Sequence, residues 1–180
     1  LYFNHVEATF TQNTIQDNAA TDQIAEGLAV LIRNDSRATF SDNIIQSNAK
    51  TSLSAQGAVQ IIHSEATFTG NVISNTIGGS GIYAEDYSVV TITNNILYGN
   101  SGNGIKLFWH GTEAIVKDNT LEANGRGLYS WTGINSSVLI EGNLIQHNRS
   151  RGFPAQGGGM YLEAGADDGP VMVVGNVIQD

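Results

Sequence analysis

Eight aromatic, acidic and basic side chains each stand two or four positions after a glycine, in four successive segments of the sequence. Aromatic rings stack on the apolar faces of sugars, and flanking carboxylates accept hydrogen bonds from sugar hydroxyls. Exposed apolar patches of this extent also mark protein contacts. The set therefore predicts a face that binds a saccharide or a protein, unless it is a packing ladder covered by loops such as residues 149–158. The eight residues are Tyr83, Glu85, Lys106, Phe108, Tyr129, Trp131, Tyr161 and Glu163.

The expectation that these side chains point outward depends on alternation along a strand, in which neighbouring residues face opposite sides. Residues one and three after each glycine are aliphatic in several copies, as in Ile105 and Leu107, and we expect them to point inward. Residues two and four then point outward. The same rule places four aliphatic residues on the outer side of the first two copies, namely Ala29, Leu31, Val59 and Ile61.

A second group of side chains that could bind a metal or transfer a proton precedes the recurring Ala-Thr-Phe segment. Three residues before it stand His5, Asp35 and His63, and one residue before it stand Glu7, Arg37 and Glu65. If these positions stack, imidazole and carboxylate groups could hold a metal ion or share a proton. The alternative is a ladder of alternating charge, in which the middle residue of each triple pairs with its neighbours.

The sequence repeats, and this repetition would stack the equivalent members of each group on successive coils. The segment from Ala8 to Asn18 returns at residues 38–48, and again at residues 66–75 with one residue deleted. Looser copies occupy residues 90–100, 114–124, 138–148 and 171–180. The first asparagine of each copy falls at positions 13, 43, 71, 95, 119, 143 and 176.

Each period holds two strand-like segments, the repeated copy and a glycine-led segment, and both alternate with a period of two. Asparagine tolerates the left-handed conformation of sharp corners, and asparagines stacked about 4.8 Å apart can bond to one another. We therefore predict an all-β parallel β-helix of about seven coils, with three parallel sheets and an asparagine ladder at a corner, as a single domain over residues 1–180. A leucine-rich repeat is the rival, but it needs a further leucine three residues before the first aliphatic position, and none stands there.

The N-x-[IL]-x-x-N corner followed by G-[IL]-x-[LV] resembles the repeats of right-handed parallel β-helix proteins of the pectin-lyase-like superfamily. The resemblance covers nearly the whole chain. It implies a right-handed β-helix with one strand of every coil in each of three sheets. It also implies an association with secretion, cell surfaces and polysaccharides.

The motifs of the sugar-cleaving members of that superfamily are not recognisable. Such enzymes need paired acids at catalytic spacing, or a calcium-binding acid cluster with an arginine base. Asp167 and Asp168 lie in a segment rich in glycine that is typical of a turn, and His110-Gly111 is an isolated dipeptide. The sequence therefore predicts neither a catalytic residue nor a cofactor.

The net charge and the hydropathy of the chain limit the classes of partner that it can bind. The chain has 17 acidic and 8 basic residues among 180, a net charge of -9, so we expect no nucleic-acid partner. No apolar run reaches the roughly 18 residues of a membrane span. We expect an extracellular or cell-surface solenoid with a structural or interaction role, whose partners are flanking coils or further copies of itself stacking into fibres. A polysaccharide-binding or polysaccharide-processing domain is the alternative.

Overall fold

The computed structural model describes residues 1–20, 29–50, 57–150, 158–165 and 168–180, which form β-strands joined by short turns. Within these ranges there is no helix, and hence none of the length and apolarity that a membrane crossing requires. The regular structure consists of three seven-stranded parallel sheets and one two-stranded pair.

Each long sheet takes one strand from every coil. Sheet A comprises β1 (Tyr2–Asn4), β5 (Val30–Arg33), β9 (Gly57–Ile62), β12 (Ser80–Glu85), β15 (Asn103–Trp109), β18 (Arg126–Thr132) and β21 (Met160–Ala164). Sheet B comprises β2 (Glu7–Thr11), β6 (Arg37–Ser41), β10 (Glu65–Thr69), β13 (Val89–Thr93), β16 (Glu113–Lys117), β19 (Ser137–Glu141) and β22 (Val171–Val174). Sheet C comprises β3 (Thr14–Gln16), β7 (Ile44–Gln46), β11 (Val72–Ser74), β14 (Ile96–Tyr98), β17 (Thr120–Glu122), β20 (Leu144–Gln146) and β23 (Val177–Gln179). The short strands β4 (Ala19–Ala20) and β8 (Ala49–Lys50) pair with each other.

The strand order confirms the predicted β-helix. Every strand of a long sheet pairs in parallel with the equivalent strands of the coils before and after it. A leucine-rich repeat is excluded as an interpretation, because each coil contributes a strand to all three sheets.

The core is a set of columns that run along the axis. In sheet B, Phe40 stacks on Phe10 and Phe68 with ring centroids 4.8 and 4.9 Å apart and planes within 10° of parallel. Sheet C contributes one buried aliphatic residue per coil in the middle of the solenoid, such as Ile73 and Leu97. Side chains of identical shape therefore stack at the spacing of the strands, about 4.8 Å.

The predicted asparagine ladder is present at the corner between sheets B and C. Asn71 Nδ2 donates to Asn95 Oδ1 at 2.9 Å, and Asn95 Nδ2 donates to Asn119 Oδ1 at 3.1 Å. Each of these amides also donates to a backbone carbonyl, as Asn71 does to Phe40 O at 2.9 Å. The ladder thus satisfies buried polar groups that have no access to water.

A second ladder follows sheet C, and here one expectation was wrong. Ile73 pairs with Ile45, so the third copy has no deletion and Thr76 occupies the position of Asn48. Asn75 is instead an exposed turn residue with φ of 55°. Thr76 N donates to Asn100 Oδ1 at 3.1 Å, but the Thr76 hydroxyl has no partner within the described chain. The amide ladder is therefore interrupted at Thr76.

A third polar column, which was not predicted from the sequence, lies at the corner between sheets A and B. Ser36, Ser64, Ser88, Thr112 and Ser136 are buried there. Ser88 Oγ donates to Glu85 O at 2.5 Å, and Ser64 Oγ accepts from Ser36 N at 3.2 Å. The sequence signal for this column is a serine or threonine that stands, in each of these coils, two positions before the residue equivalent to Ala38.

The glycine rule misplaced residues in the first coils of sheet A. Gly57 pairs with Ser80 and Val59 with Ile82, so Gly57 lies one residue before the position of Gly81. Val59 and Ile61 consequently point inward and are fully buried. Ala29 likewise belongs to the core, whereas Leu31 does lie on the outer side, where it pairs with Gln60. The outer side of these coils is therefore not wholly aliphatic: Arg33, Gln60 and Ile62 stand on it, in register with Glu85 or Tyr83.

Glycine is required where the strands of sheet A begin against the second ladder. A Cβ on Gly104 would lie 2.8 Å from Gly127 O and 3.1 Å from Asn124 Nδ2. The Asn124 amide cannot retreat, because it donates to Leu97 O and to Asn148 Oδ1. Close packing against the amide ladder therefore explains the glycine that opens this strand.

Candidate functional site

The eight predicted residues form two parallel rows on the outer side of sheet A. Tyr83, Lys106, Tyr129 and Tyr161 occupy one row, because each pairs with the next in register. Glu85, Phe108, Trp131 and Glu163 occupy the other row in the same way. The structure therefore brings together all eight residues, which we call the sheet A face.

Two cations hold the rings of this face in place. Lys106 Nζ lies 4.4 Å from the ring centroid of Tyr83 and 4.5 Å from that of Phe108. The Arg126 guanidinium carbon lies 5.4 Å from Tyr129 and 5.3 Å from Tyr161, whose rings stack 5.4 Å apart. Such cation–π contacts contribute about 0.5–2 kcal/mol each. Arg126 was missed by the sequence analysis, although it directly precedes the glycine of its strand.

One end of the face is a buried polar network. Tyr83 lies on the outer side of the sheet, yet only 2% of it is exposed. Its hydroxyl donates to Glu85 Oε2 at 2.5 Å, and Gln60 Nε2 donates to Glu85 Oε1 at 2.8 Å. Tyr83 therefore lies on the predicted outer side but is not accessible to solvent. Residues 151–157, which belong to the loop considered as a cover, lie outside the described residues.

Burial also shifts the ionisation of this network. Loss of water contact raises the pKa of the Tyr83 phenol far above its ordinary value, and the hydrogen bond to Glu85 adds to the rise. Burial lowers the pKa of Lys106, and the negative charge of Glu85 partly opposes that effect. Both shifts result from packing of the face against itself.

The accessible part of the face is an aromatic platform formed by Phe108, Trp109 and Trp131. Trp131 packs edge to face on Phe108 with centroids 4.8 Å apart, and Trp109 lies 5.9 Å from the same ring. Trp109 is 49% exposed and Trp131 37% exposed. The platform is flanked by Tyr161 and the exposed Glu163, which are joined by a hydrogen bond of 3.1 Å.

Trp109 was not among the predicted residues, because strand alternation does not assign it to either row. Its φ is 75°. This conformation costs a bulky residue free energy. The equivalent residues of the three preceding coils, Asn34, His63 and Asp86, also have positive φ, so the conformation belongs to the turn at this corner. An exposed indole at this corner, in contact with Phe108, therefore adds the carboxyl end of β15 to the site.

The group formed by His5, Asp35 and His63 does not provide a metal centre. Asp35 Oδ1 lies 3.5 Å from His63 Nε2, and Arg37 binds Glu65 at 2.7 Å. In the parts of the chain that the structure describes, no three His, Asp or Glu side chains come close enough to hold a metal ion. The contacts instead support the alternating-charge ladder, which lines an open cleft of about 530 Å³.

His110 and Asp168, two of the residues considered for catalysis, lie in turns. Gly111, after His110, has φ of 65°. The Asp168 carboxylate accepts a hydrogen bond from Gly165 N, as expected for a turn residue. Asp167 lies outside the described residues.

The buried phenol of Tyr83 should make folding stability depend on pH in the alkaline range. The pKa of Tyr83 is raised, so the folded chain keeps a proton that the unfolded chain loses above a pH of about 10. Folding stability should therefore fall as pH rises beyond that value, and Tyr83→Phe should make the fall shallower. Lys106, whose pKa is lowered, acts in the opposite direction at somewhat lower pH. Urea denaturation at a series of alkaline pH values measures the slope. The exposed Tyr98→Phe serves as the control, and equal slopes for the parent and Tyr83→Phe would contradict the assignment.

Comparison with known proteins agrees with this architecture. The family described as right handed beta helix region matches residues 28–180 of the chain. No curated protein and no solved structure gives a significant match.

Proposed function

We propose, since the chain belongs to the right-handed β-helix family, that it is a binding solenoid of the extracellular space or cell surface that holds a saccharide chain on the sheet A face. The observation that carries this proposal is the aromatic platform of Phe108, Trp109 and Trp131. Its two indoles are accessible and edge-packed on a common ring. Flat aromatic surfaces of this kind suit the apolar faces of sugar rings.

Rigidity supports binding at this position. Phe108 is held by the Lys106 ammonium at 4.5 Å and by Trp131 at 4.8 Å. Side chains that are fixed before binding lose little conformational entropy when a ligand arrives. The platform is therefore organised in advance for a ligand that contacts both indoles.

The polar groups around the platform favour a saccharide over a protein partner. Glu163 is exposed and Tyr161 is half-buried, and both offer hydrogen bonds to hydroxyl groups. Arg126 and Asn103, joined at 3.4 Å, add further polar groups at the start of the same strands, beyond Tyr129. A protein contact would need a broader continuous apolar surface than two indoles and one phenyl ring.

The geometry of the carboxylates favours binding over hydrolysis. Glu85 and Glu163 lie in the same row but three coils apart. This separation corresponds to about 14 Å at the strand spacing. Inverting glycosidases place their acids about 6.5–9.5 Å apart, and retaining enzymes place them closer. Glu85 is also engaged by Tyr83 and Gln60.

Tryptophan fluorescence tests the proposal directly, because the chain has only two tryptophans and both lie in the platform. We expect an oligosaccharide from a panel of plant, bacterial and animal glycans to shift the emission and to bind measurably by calorimetry. Trp131→Ala should weaken that binding by about tenfold or more, as expected for a central aromatic contact. Trp109→Ala should act in the same direction.

Tyr98→Ala is the matched control, since Tyr98 is an exposed aromatic residue on sheet C, away from the platform. Its affinity for the oligosaccharide should equal that of the parent. If no glycan in the panel binds, or if Tyr98→Ala weakens binding as much as Trp131→Ala does, the saccharide proposal is wrong. A protein partner captured through the platform would then replace it.

A further inference from the structure

Independently of the proposed function, the outer side of sheet B carries a regular array of hydroxyl groups. Two outward positions of four consecutive strands are occupied by seven threonines and one serine, in perfect register. These residues, which we call the threonine face, are Thr9, Thr39, Thr67 and Thr91 in one row and Thr11, Ser41, Thr69 and Thr93 in the other.

The register of the array persists although the coils differ in length. The four members of the first row are unevenly spaced along the sequence, and the spacing shortens towards Thr91. The strands nevertheless align these threonines opposite one another. The two-dimensional spacing is thus set by the sheet, at about 4.8 Å between strands and about 6.6 Å along each strand.

The core beneath the array keeps it flat. Phe10, Phe40 and Phe68 stack directly under the first three strands with interplanar angles of 10° and 8°. Sheets normally twist by about 20–25° per strand, and ladders of identical side chains are one of the means that suppress the twist. The nearly parallel rings are the arrangement expected when successive strands are translated with little rotation.

The hydroxyls of the threonine face are available to solvent. In the described chain, the hydrogen bond that joins two of them is Thr69 Oγ1 to Thr93 Oγ1 at 3.3 Å, and none of the eight bonds to any other side chain. Thr9, Thr11 and Thr69 are exposed, and the other residues are half-buried. Each threonine presents one hydroxyl, which can donate and accept, beside one methyl group.

The array carries no charge and has clear limits. The fifth strand places Ile115 and Lys117 at the same two positions, which ends the hydroxyl rows. The row at the amino-terminal side of these strands is occupied by Glu7, Arg37 and Glu65. An ionic ligand would find no opposite charge among these eight residues.

We propose that the threonine face binds the surface of ice. A flat, uncharged lattice of hydroxyls and methyl groups matches a partner that is itself flat, periodic and built of hydrogen-bond donors and acceptors. Ordered water meets these conditions: the hydroxyls anchor water molecules at fixed spacing, and the methyl groups restrict the orientations of the waters between them. The adsorbed face would then stop growth of the crystal where the protein sits.

The test uses the whole chain and measures the inhibition of ice recrystallisation. We expect the parent protein to keep ice crystals small and to shape their growth. Thr67→Tyr places a bulky ring in the centre of the array and should raise the concentration needed for half-maximal inhibition by about tenfold, through loss of shape complementarity. Thr14→Tyr is the matched control, because Thr14 is an exposed outward threonine of sheet C, and it should behave as the parent does.

If Thr67→Tyr does not fold by circular dichroism, Thr91→Tyr on the next strand gives the same test. The proposal is overturned if the parent inhibits no more than an unrelated protein at equal concentration, or if Thr67→Tyr and Thr14→Tyr behave alike. Binding of crystalline cellulose through these threonines without any effect on ice would also overturn it. Trp131→Ala should retain full activity on ice, so this result is separate from the fate of the saccharide proposal.

Discussion

Replacement of Phe40 by alanine is expected to lower the free energy of unfolding by about 3–5 kcal/mol. Phe40 is fully buried and lies between the rings of Phe10 and Phe68. The cavity cannot collapse along the axis, because the parallel ladders on each side fix the spacing of the coils. Denaturant unfolding followed by circular dichroism measures the loss.

Ile44→Ala is the control for Phe40→Ala. Ile44 points outward on sheet C with 41% of its surface exposed. Its truncation should therefore change the free energy of unfolding by no more than about 0.5 kcal/mol. Equal unfolding midpoints for Phe40→Ala and Ile44→Ala would show that the aromatic stack does not stabilise the solenoid.

Asn119→Ala should lower the free energy of unfolding by about 2–4 kcal/mol, because two buried backbone groups lose their partners. Asn119 Oδ1 accepts from Asn95 N at 2.9 Å, and Asn119 Nδ2 donates to Ile92 O at 2.8 Å. Neither group can reach water, since the corner is closed by the neighbouring coils. The same denaturant measurement gives the value.

Asn94 provides the matched control for Asn119→Ala. It lies in the turn of the preceding coil, directly before the ladder residue Asn95. Asn94 is exposed and has φ of 56°. Glycine adopts this conformation readily, so Asn94→Gly should leave stability nearly unchanged. If Asn119→Ala and Asn94→Gly cost the same, the ladder contributes no more than a solvent-facing turn.

The architecture was predictable because the residues that determine it recur at equivalent positions in successive coils. An asparagine that bonds to its equivalents in adjacent coils must recur once per coil, and Asn71, Asn95 and Asn119 do so. The glycine rule was a poorer guide to register. Gly57 avoids a steric conflict with Tyr83, its contact in the next coil, whereas Gly104 makes room for Asn124, so the two glycines occupy different positions.

The membership of the sheet A face was predictable, but its accessibility was not. Alternation places Tyr83 on the outer side, whereas its burial depends on Lys106 and other neighbours that are distant in sequence. The positive φ of Trp109 has no signal in its residue type, since tryptophan does not favour that conformation. The exposed indole therefore emerged only from the assembled coils.

The interruption of the second ladder at Thr76 bears on how the solenoid folds. Repeat proteins gain stability from interfaces between adjacent units, and a weakened interface divides them into parts that open separately. The phenylalanine stack changes at the same place, because Phe68 is followed by Ile92. We therefore expect opening of the solenoid to begin at the coil of Phe68 and Thr76, where both columns change, although the first ladder still joins this coil to the next through Asn71 and Asn95.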